Sequence, residues 1–229
     1  IPASSPDRTS RLDRGGLVLS VTMLGTLVYT IIEAPEHGWT SARTLAGFAV
    51  AALAVGGFAW WERRRQDPLI DVRLFANLRF SAASGAVTVA FFALFGFIFL
   101  ITQFMQQLQG FGPLDTGVRI LPVALSIAVG SVLGTRLAVS RIGTKVVVFV
   151  GLLMMAGSFA WISTVDLGVG YPEMAAQMVL LGTGLGLTSA PATDSIMGVV
   201  RPEQAGAGSA VNDATRQVGG TLGVAVIGS

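Results

Sequence analysis

Cysteine is absent from the 229 residues, which excludes a disulfide framework, a thiolate nucleophile and a Cys-ligated metal. Histidine occurs once, as His37. Only two glutamates accompany it, so it reads as a solvated loop residue, and no metal is expected. A membrane enzyme would gather His, Asp or Glu near one surface; without such a cluster no catalytic residue is expected. Charge is scarce too: Asp, Glu, Lys and Arg make up 12% of the chain, against about a quarter in soluble domains. The polar start from Ile1 to Gly15 is not a basic segment leading into an apolar core, which argues against a signal peptide. With no initiator Met, the sequence is expected to be a piece of a longer protein.

What the chain has instead is long apolar runs. Hydrophobic residues are 52% of the total, and runs long enough to cross ~30 Å of hydrocarbon recur at residues 16–34, 44–61, 80–102, 118–139, 146–165, 174–200 and 207–229. The expectation is an all-α integral membrane protein with about seven spans. Basic residues fall in every second loop: Arg8, Arg11 and Arg14; then Arg63, Arg64, Arg65, Arg73 and Arg79; then Arg136, Arg141 and Lys145; then Arg201. By the positive-inside rule those loops are cytoplasmic, as is the N-terminal end, in a cytoplasmic (inner) membrane. Seven crossings leave Ser229 outside, so a further helix is expected.

The chain divides into a linker at residues 1–15, a pair of spans at 16–61, an amphipathic loop at 62–79 lying along the cytoplasmic surface, and a bundle at 80–229. The turn at Glu33-Ala-Pro-Glu36-His37-Gly38-Trp39 is expected to end the first span. Phe92, Phe95 and Phe99 form one face of the third span, which closes in Gln103, Gln106 and Gln107. These glutamines line a cavity or sit at the interface. Small residues that allow close helix contact occur at Gly130 and Gly134 in the fourth span, at Gly182 and Gly186 in the sixth, and at Gly219, Gly220 and Gly223 in the seventh. Pro191 is expected to bend or break the sixth span near Asp194.

The last span carries the chemistry. Ser209, Asn212, Asp213, Arg216, Gln217, Gly220 and Gly223 fall within an arc of about 140° on a helical wheel, opposite Val211, Ala214, Val218, Leu222 and Ala225. An ionisable side chain at the bilayer centre costs at least ~2.5 kcal/mol, so the polar arc must face a bundle interior or a cavity and the apolar arc can face lipid. Arg216 is expected to pair with Asp194 or Asp213, since an unpaired buried charge is costly; alternatively Asp194 snorkels to the headgroups.

These residues resemble a known family. Gly38-Trp39, Pro68, Arg73-Leu74-Phe75, Arg79-Phe80, Gln107, Gly110, Gly117, Leu121-Pro122, Gly206, Asn212, Arg216-Gln217, Gly219-Gly220 and Gly223-Val224-Ala225 occur in an order similar to the C-terminal half of a major facilitator superfamily transporter. The branch is the fourteen-span drug:proton antiporters of the EmrB/QacA type. The basic loop signature is degraded here: Gly134, Arg136, Arg141, Gly143 and Lys145 fit it, but Ser140 stands where an acid belongs. The resemblance implies two six-helix bundles rocking about a midplane site, with two joining spans. A proton gradient drives transport and no cofactor is needed. The implied partners are an amphipathic small molecule, protons, the lipid bilayer and the N-terminal half of the same protein, with no nucleic acid. Asp213, Arg216 and Asp194 are candidates for proton coupling or a charge latch, and Asn212, Gln217, Gln103, Gln106 and Gln107 for lining the cavity. The scarcity of fixed charge suits apolar or cationic substrates. Export of a metabolite or amino acid on the same fold, and a membrane scaffold or enzyme, are the alternatives.

Overall fold

In hydrocarbon no water can satisfy an open backbone N–H or C=O, so an apolar run must satisfy its own, and the helix does so within one segment. The computed structural model describes residues 13–65, 72–140, 142–166, 168–200 and 205–228. Seven long helices account for most of them: α1 (Arg14–His37), α2 (Ala42–Arg64), α3 (Leu78–Gln103), α4 (Pro113–Val139), α5 (Thr144–Ile162), α6 (Tyr171–Met197) and α7 (Ala205–Gly228). Helices α1 to α5 are long and apolar enough to cross a membrane by length and composition. Helices α6 and α7, of 27 and 24 residues, reach about 40 and 36 Å at ~1.5 Å per residue, enough to span as well.

Local chemistry sets the helix ends, and it moves several of the expected boundaries. Helix α1 runs through Pro35 to His37, so His37 ends a helix rather than occupying a loop. Gly38, at φ 88°, stops it. Helix α4 begins at Pro113, earlier than the apolar run alone indicates, because proline at the first turn sacrifices only an N–H that has no partner there. Helix α6 is continuous through Pro191, so of the expected bend or break there is no break. Helix α3 continues into a π-helical turn at Phe104–Leu108. The segment before α3 is only partly a surface strip: Glu62 to Arg64 belong to α2, and residues 66–71 lie outside the described residues. Val72–Ala76 forms a 3-10 turn folded onto the start of α3, with Phe75 edge-on to Phe80 at 5.2 Å and Ser81 Oγ donating to the Phe75 carbonyl at 2.6 Å.

Helix α6 is the hub, packing against α4, α5 and α3, while α7 lies along α3. Lipid tails are as apolar as leucine, so membrane helices gain little by mere burial against each other and rely on close backbone approach. Along α4 and α6 a methyl on Gly130 would lie 2.7 Å from the Thr183 carbonyl oxygen, and one on Gly134 would lie 3.0 Å from Leu187 Cα. In return, Gly182 faces the Val123 carbonyl at 2.6 Å and Gly186 the Ile127 carbonyl at 2.5 Å. Gly151 of α5 and Gly184 of α6 meet in the same way. On α7, Gly219 and Gly223 sit against the backbone of Thr88 and Phe92, and Gly220 against the ring of Phe95 at 3.0 Å. The phenylalanine face of α3 is therefore the wall on which α7 rests.

Helices α1 and α2 pair with each other; α1 also touches α7, and α2 touches the 3-10 turn. Asp13 caps α1 by accepting from Gly16 N at 3.0 Å and from the Trp61 indole at 3.0 Å, with Arg65 at 3.5 Å. Burial alone would raise the Asp13 pKa. The Gly16, Trp61, Arg65 and Gly15 interactions outweigh it and hold the carboxyl below its ordinary value. At the other end Arg43 pairs with Glu33 at 3.5 Å and reaches the Tyr29 hydroxyl at 2.9 Å.

Two glycine substitutions separate packing from helix propensity. Gly85 of α3 has nothing within 4 Å of a would-be methyl, so Gly85→Ala is expected to stabilise by roughly 0.5–1 kcal/mol. Gly219→Ala drives a methyl into the Thr88 carbonyl and is expected to destabilise by about 1–3 kcal/mol. Thermal unfolding of the purified protein in detergent measures both. A higher midpoint for Gly219→Ala than for Gly85→Ala would contradict the packing described.

Candidate functional site

Because glycines draw α7 onto α3, the polar residues flanking them are carried to fixed positions. Asn212 is buried at 5% exposure and accepts from Thr193 Oγ1 of α6 at 3.2 Å. Arg216, one turn on, donates from Nη2 to the same Thr193 Oγ1 at 3.0 Å. Its guanidinium carbon lies 5.2 Å from the centre of the Phe91 ring of α3, within the range of a cation–π contact. One arginine thus ties three helices together, and the Asn212–Thr193 bond fixes the hydroxyl that receives it.

The polar arc of α7 is split rather than uniform. Asn212 and Arg216 turn into the α6 seam, whereas Asp213 and Gln217 are exposed. The opposite arc is only in part available to lipid: Ala214, Val218 and Leu222 are half-buried, but Val211 is 1% and Ala225 4% exposed, and Val211 joins Phe80, Val87 and Ile196 in a core between α3, α6 and α7. Helix α7 is gripped on both its glycine and its Val211 sides, which leaves the Asp213–Gln217 row as its open surface.

Asp194 follows Thr193 on α6 and is exposed. It lines a cavity of about 520 Å³ with Arg216, Phe91, Leu94, Ile127, Ser131, Leu185, Ser189, Ala190 and Thr193. Four helices, α3, α4, α6 and α7, contribute to this wall. The expected ion pair is not formed: among the described residues no carboxylate lies within 4.0 Å of Arg216, and the ion pairs present all belong to the α1–α2 hairpin. The reason is rotational. Neighbouring residues on a helix point about 100° apart, so with Thr193 facing α7, Asp194 opens into the cavity. Asp213 likewise turns away from the seam that holds Asn212.

The glutamines lie elsewhere. Gln107 Nε2 donates to Gln103 Oε1 at 2.9 Å, Gln106 is half-buried, and Gln103 lines a separate cavity of about 380 Å³ with Phe97, Phe159, Asp166 and Gln177. Gln103 is roughly 18 Å along α3 from Phe91 at ~1.5 Å per residue, so it does not join Arg216. In the basic loop, Arg136 is exposed in the last turn of α4 and Gly143 adopts φ 80° to reverse the chain. Lys145 shares a third cavity, of about 480 Å³, with Arg79, Thr144 and Ser195. Arg141 lies outside the described residues.

Glu33, Glu36 and His37 bring their ligand atoms within 4.8 Å of one another. Arg43 Nη1 already occupies His37 Nε2 at 2.6 Å and Arg43 also pairs with Glu33, so the set is answered by an internal cation. The residues that sequence reasoning missed are Thr193 and Phe91. Ser189 and Thr193, four apart, stack on one face of α6, a polar row readable from spacing once Asp194 stops drawing attention from it.

The sequence matches the family model described as Major Facilitator Superfamily over residues 14–224. It is 36% identical to the multidrug resistance protein Stp of Mycobacterium tuberculosis, covering 100% of this chain and 42% of that protein. It is 33% identical to the tetracenomycin C resistance and export protein of Streptomyces glaucescens, covering 94% of this chain and 40% of the other. With the puromycin resistance protein pur8 of Streptomyces alboniger it shares 32% identity over 96% of this chain and 44% of the other. The chain spans less than half the length of these relatives. Its helices and these matches make it a multi-pass membrane protein.

A pair of double-mutant cycles tests the seam. Thr193→Val and Arg216→Gln share a hydrogen bond, so their stability losses are expected to couple by more than about 0.5 kcal/mol, while Asp194→Asn and Arg216→Gln are expected to add. Strong coupling in the Asp194 cycle would restore the ion pair.

Proposed function

The chain belongs to the Major Facilitator Superfamily, and from that membership we propose that it is part of a proton-coupled exporter of amphipathic drugs that works by alternating access. The observation that carries this reading is the cavity where Asp194 and Arg216 meet apolar walls from four helices. Ionisable side chains in membrane-spanning helices concentrate along substrate and ion pathways. The relatives' names, which speak of multidrug, tetracenomycin C and puromycin resistance, support a drug cargo. In this reading α1 and α2 are the joining pair, α3 to α7 are five helices of one bundle, and the facing bundle comes from the rest of a relative-sized protein. The small residues at the α4–α6 and α3–α7 seams let helices approach closely, and the membrane is the cytoplasmic (inner) one.

Proton coupling needs a carboxylate open to the pathway. Asp213 and Asp194 flank the Arg216 seam without pairing to it, and Asp194 lines the cavity. We assign Asp213 to proton binding or to a charge latch that the proton releases. Gln217 lies on its open row, and Asp194 is the second carboxylate of the pathway. Asp213→Asn in the full-length protein is expected to abolish export of a neutral fluorescent amphiphile driven by a pH gradient, with membrane insertion and dye binding intact. Undiminished export by a well-inserted variant would remove the coupling role.

The orientation is tested separately. The alternating basic loops put the α4–α5 turn inside and the α5–α6 turn outside. Since this chain has no cysteine, a single cysteine at exposed Thr164 or Ser140 is a clean probe. Thr164→Cys is expected to react with an impermeant maleimide in intact cells, and Ser140→Cys only after permeabilisation. The reverse pattern would invert the topology.

A further inference from the structure

We infer that Arg216 is the anchor for an acidic group on the substrate, so that the cavity selects amphipathic anions. This rests on the cavity being a substrate site, as proposed above, and it replaces the expectation that scarce charge favours apolar or cationic cargo.

Arg216 is a cation without an anionic partner among the described residues. Arg216 spends Nη2 on Thr193, its Nε is buried with no acceptor, and no carboxylate lies within 4.0 Å of it among the described residues. A buried donor without an acceptor is costly, and native proteins keep such groups where something else supplies the acceptor. The surroundings also hold the guanidinium still. Thr193 is itself fixed by Asn212, and the guanidinium carbon lies over the Phe91 ring, 5.2 Å from its centre. The guanidinium lines the cavity with Nη2 taken and Nε sealed, which leaves Nη1 as its donor to a ligand, and a carboxylate or a sulfonate answers that charged donor better than a neutral acceptor does. The same cavity offers Leu94, Ile127 and Leu185 to an apolar body, and the Ser131 and Ser189 hydroxyls to its polar atoms.

Asp194 is the opposing group in the cavity. Exposed and outside ion-pair distance of Arg216, it repels an acidic substrate without neutralising the arginine. It therefore limits affinity, and removing its charge should raise it.

The test uses the full-length protein in phosphatidylcholine nanodiscs, with empty nanodiscs as blank. Dansylglycine is the acidic probe and dansylglycinamide its neutral counterpart, both read by equilibrium fluorescence. Wild type is expected to bind the acid about tenfold more tightly than the amide, the scale of a charge-assisted hydrogen bond. Arg216→Gln should bring the two to parity by weakening the acid alone, and Asp194→Asn should tighten the acid and leave the amide unchanged. Should Arg216→Gln not fold, Arg216→Lys retains the charge but loses the held guanidinium, and a fall in its acid preference supports the inference. No preference in wild type, or an unchanged preference in either arginine variant, overturns it. Because no gradient is applied, a protein that discriminates between the probes but fails to export would sink the proton-driven reading and leave this one standing.

Discussion

Backbone-to-backbone contact through glycine is the constraint from which the other features follow. In a bilayer, side-chain burial offers helices no strong reason to prefer each other over lipid. Helices α4, α5 and α6 meet at Gly130, Gly134, Gly151, Gly182, Gly184 and Gly186, and α3 and α7 meet at Gly219 and Gly223. Any side chain at these positions would wedge the helices apart. With the seams closed, the polar groups of α6 and α7 have only a few orientations, and Thr193 is delivered to both Asn212 and Arg216.

The electrostatics of the site are consistent with that rigidity. A charge among helices is normally met by an opposite charge. Here a hydroxyl, an amide and an aromatic face share the task, leaving both nearby carboxylates unengaged. The arrangement keeps a positive centre in place while allowing the surrounding negative charge to vary. In the function proposed above, that property would suit a site handling both protons and cargo.

The fold was largely legible because its signals are periodic and redundant. Seven apolar runs, basic residues in alternate loops and small residues at helix-contact spacing each gave the same architecture, and the seven helices agree. The failures were local. Pro191 was read as a bend or a break, and the break does not occur, because loss of one backbone hydrogen bond in a helix gripped by α3, α4 and α5 does not end it. Val211 and Ala225 were placed toward lipid because a wheel shows polarity but not how many neighbours a helix has. The expected Arg216 pairing failed for a related reason: sequence distance gives depth along a helix, but which of Thr193 or Asp194 faces α7 depends on rotation, and the glycine seams fix that.

The α1–α2 hairpin adds a mechanical consequence. It is fastened at one end by Asp13, Trp61 and Arg65 and at the other by Tyr29, Glu33, His37 and Arg43. Two rods clamped at both ends resist shearing past each other, and the clamps stand roughly 30 Å apart at ~1.5 Å per residue. Tilt remains as the way for this pair to adapt to a thinner membrane. The hairpin, through the contact of α1 with α7, therefore sets a stiff element beside the bundle.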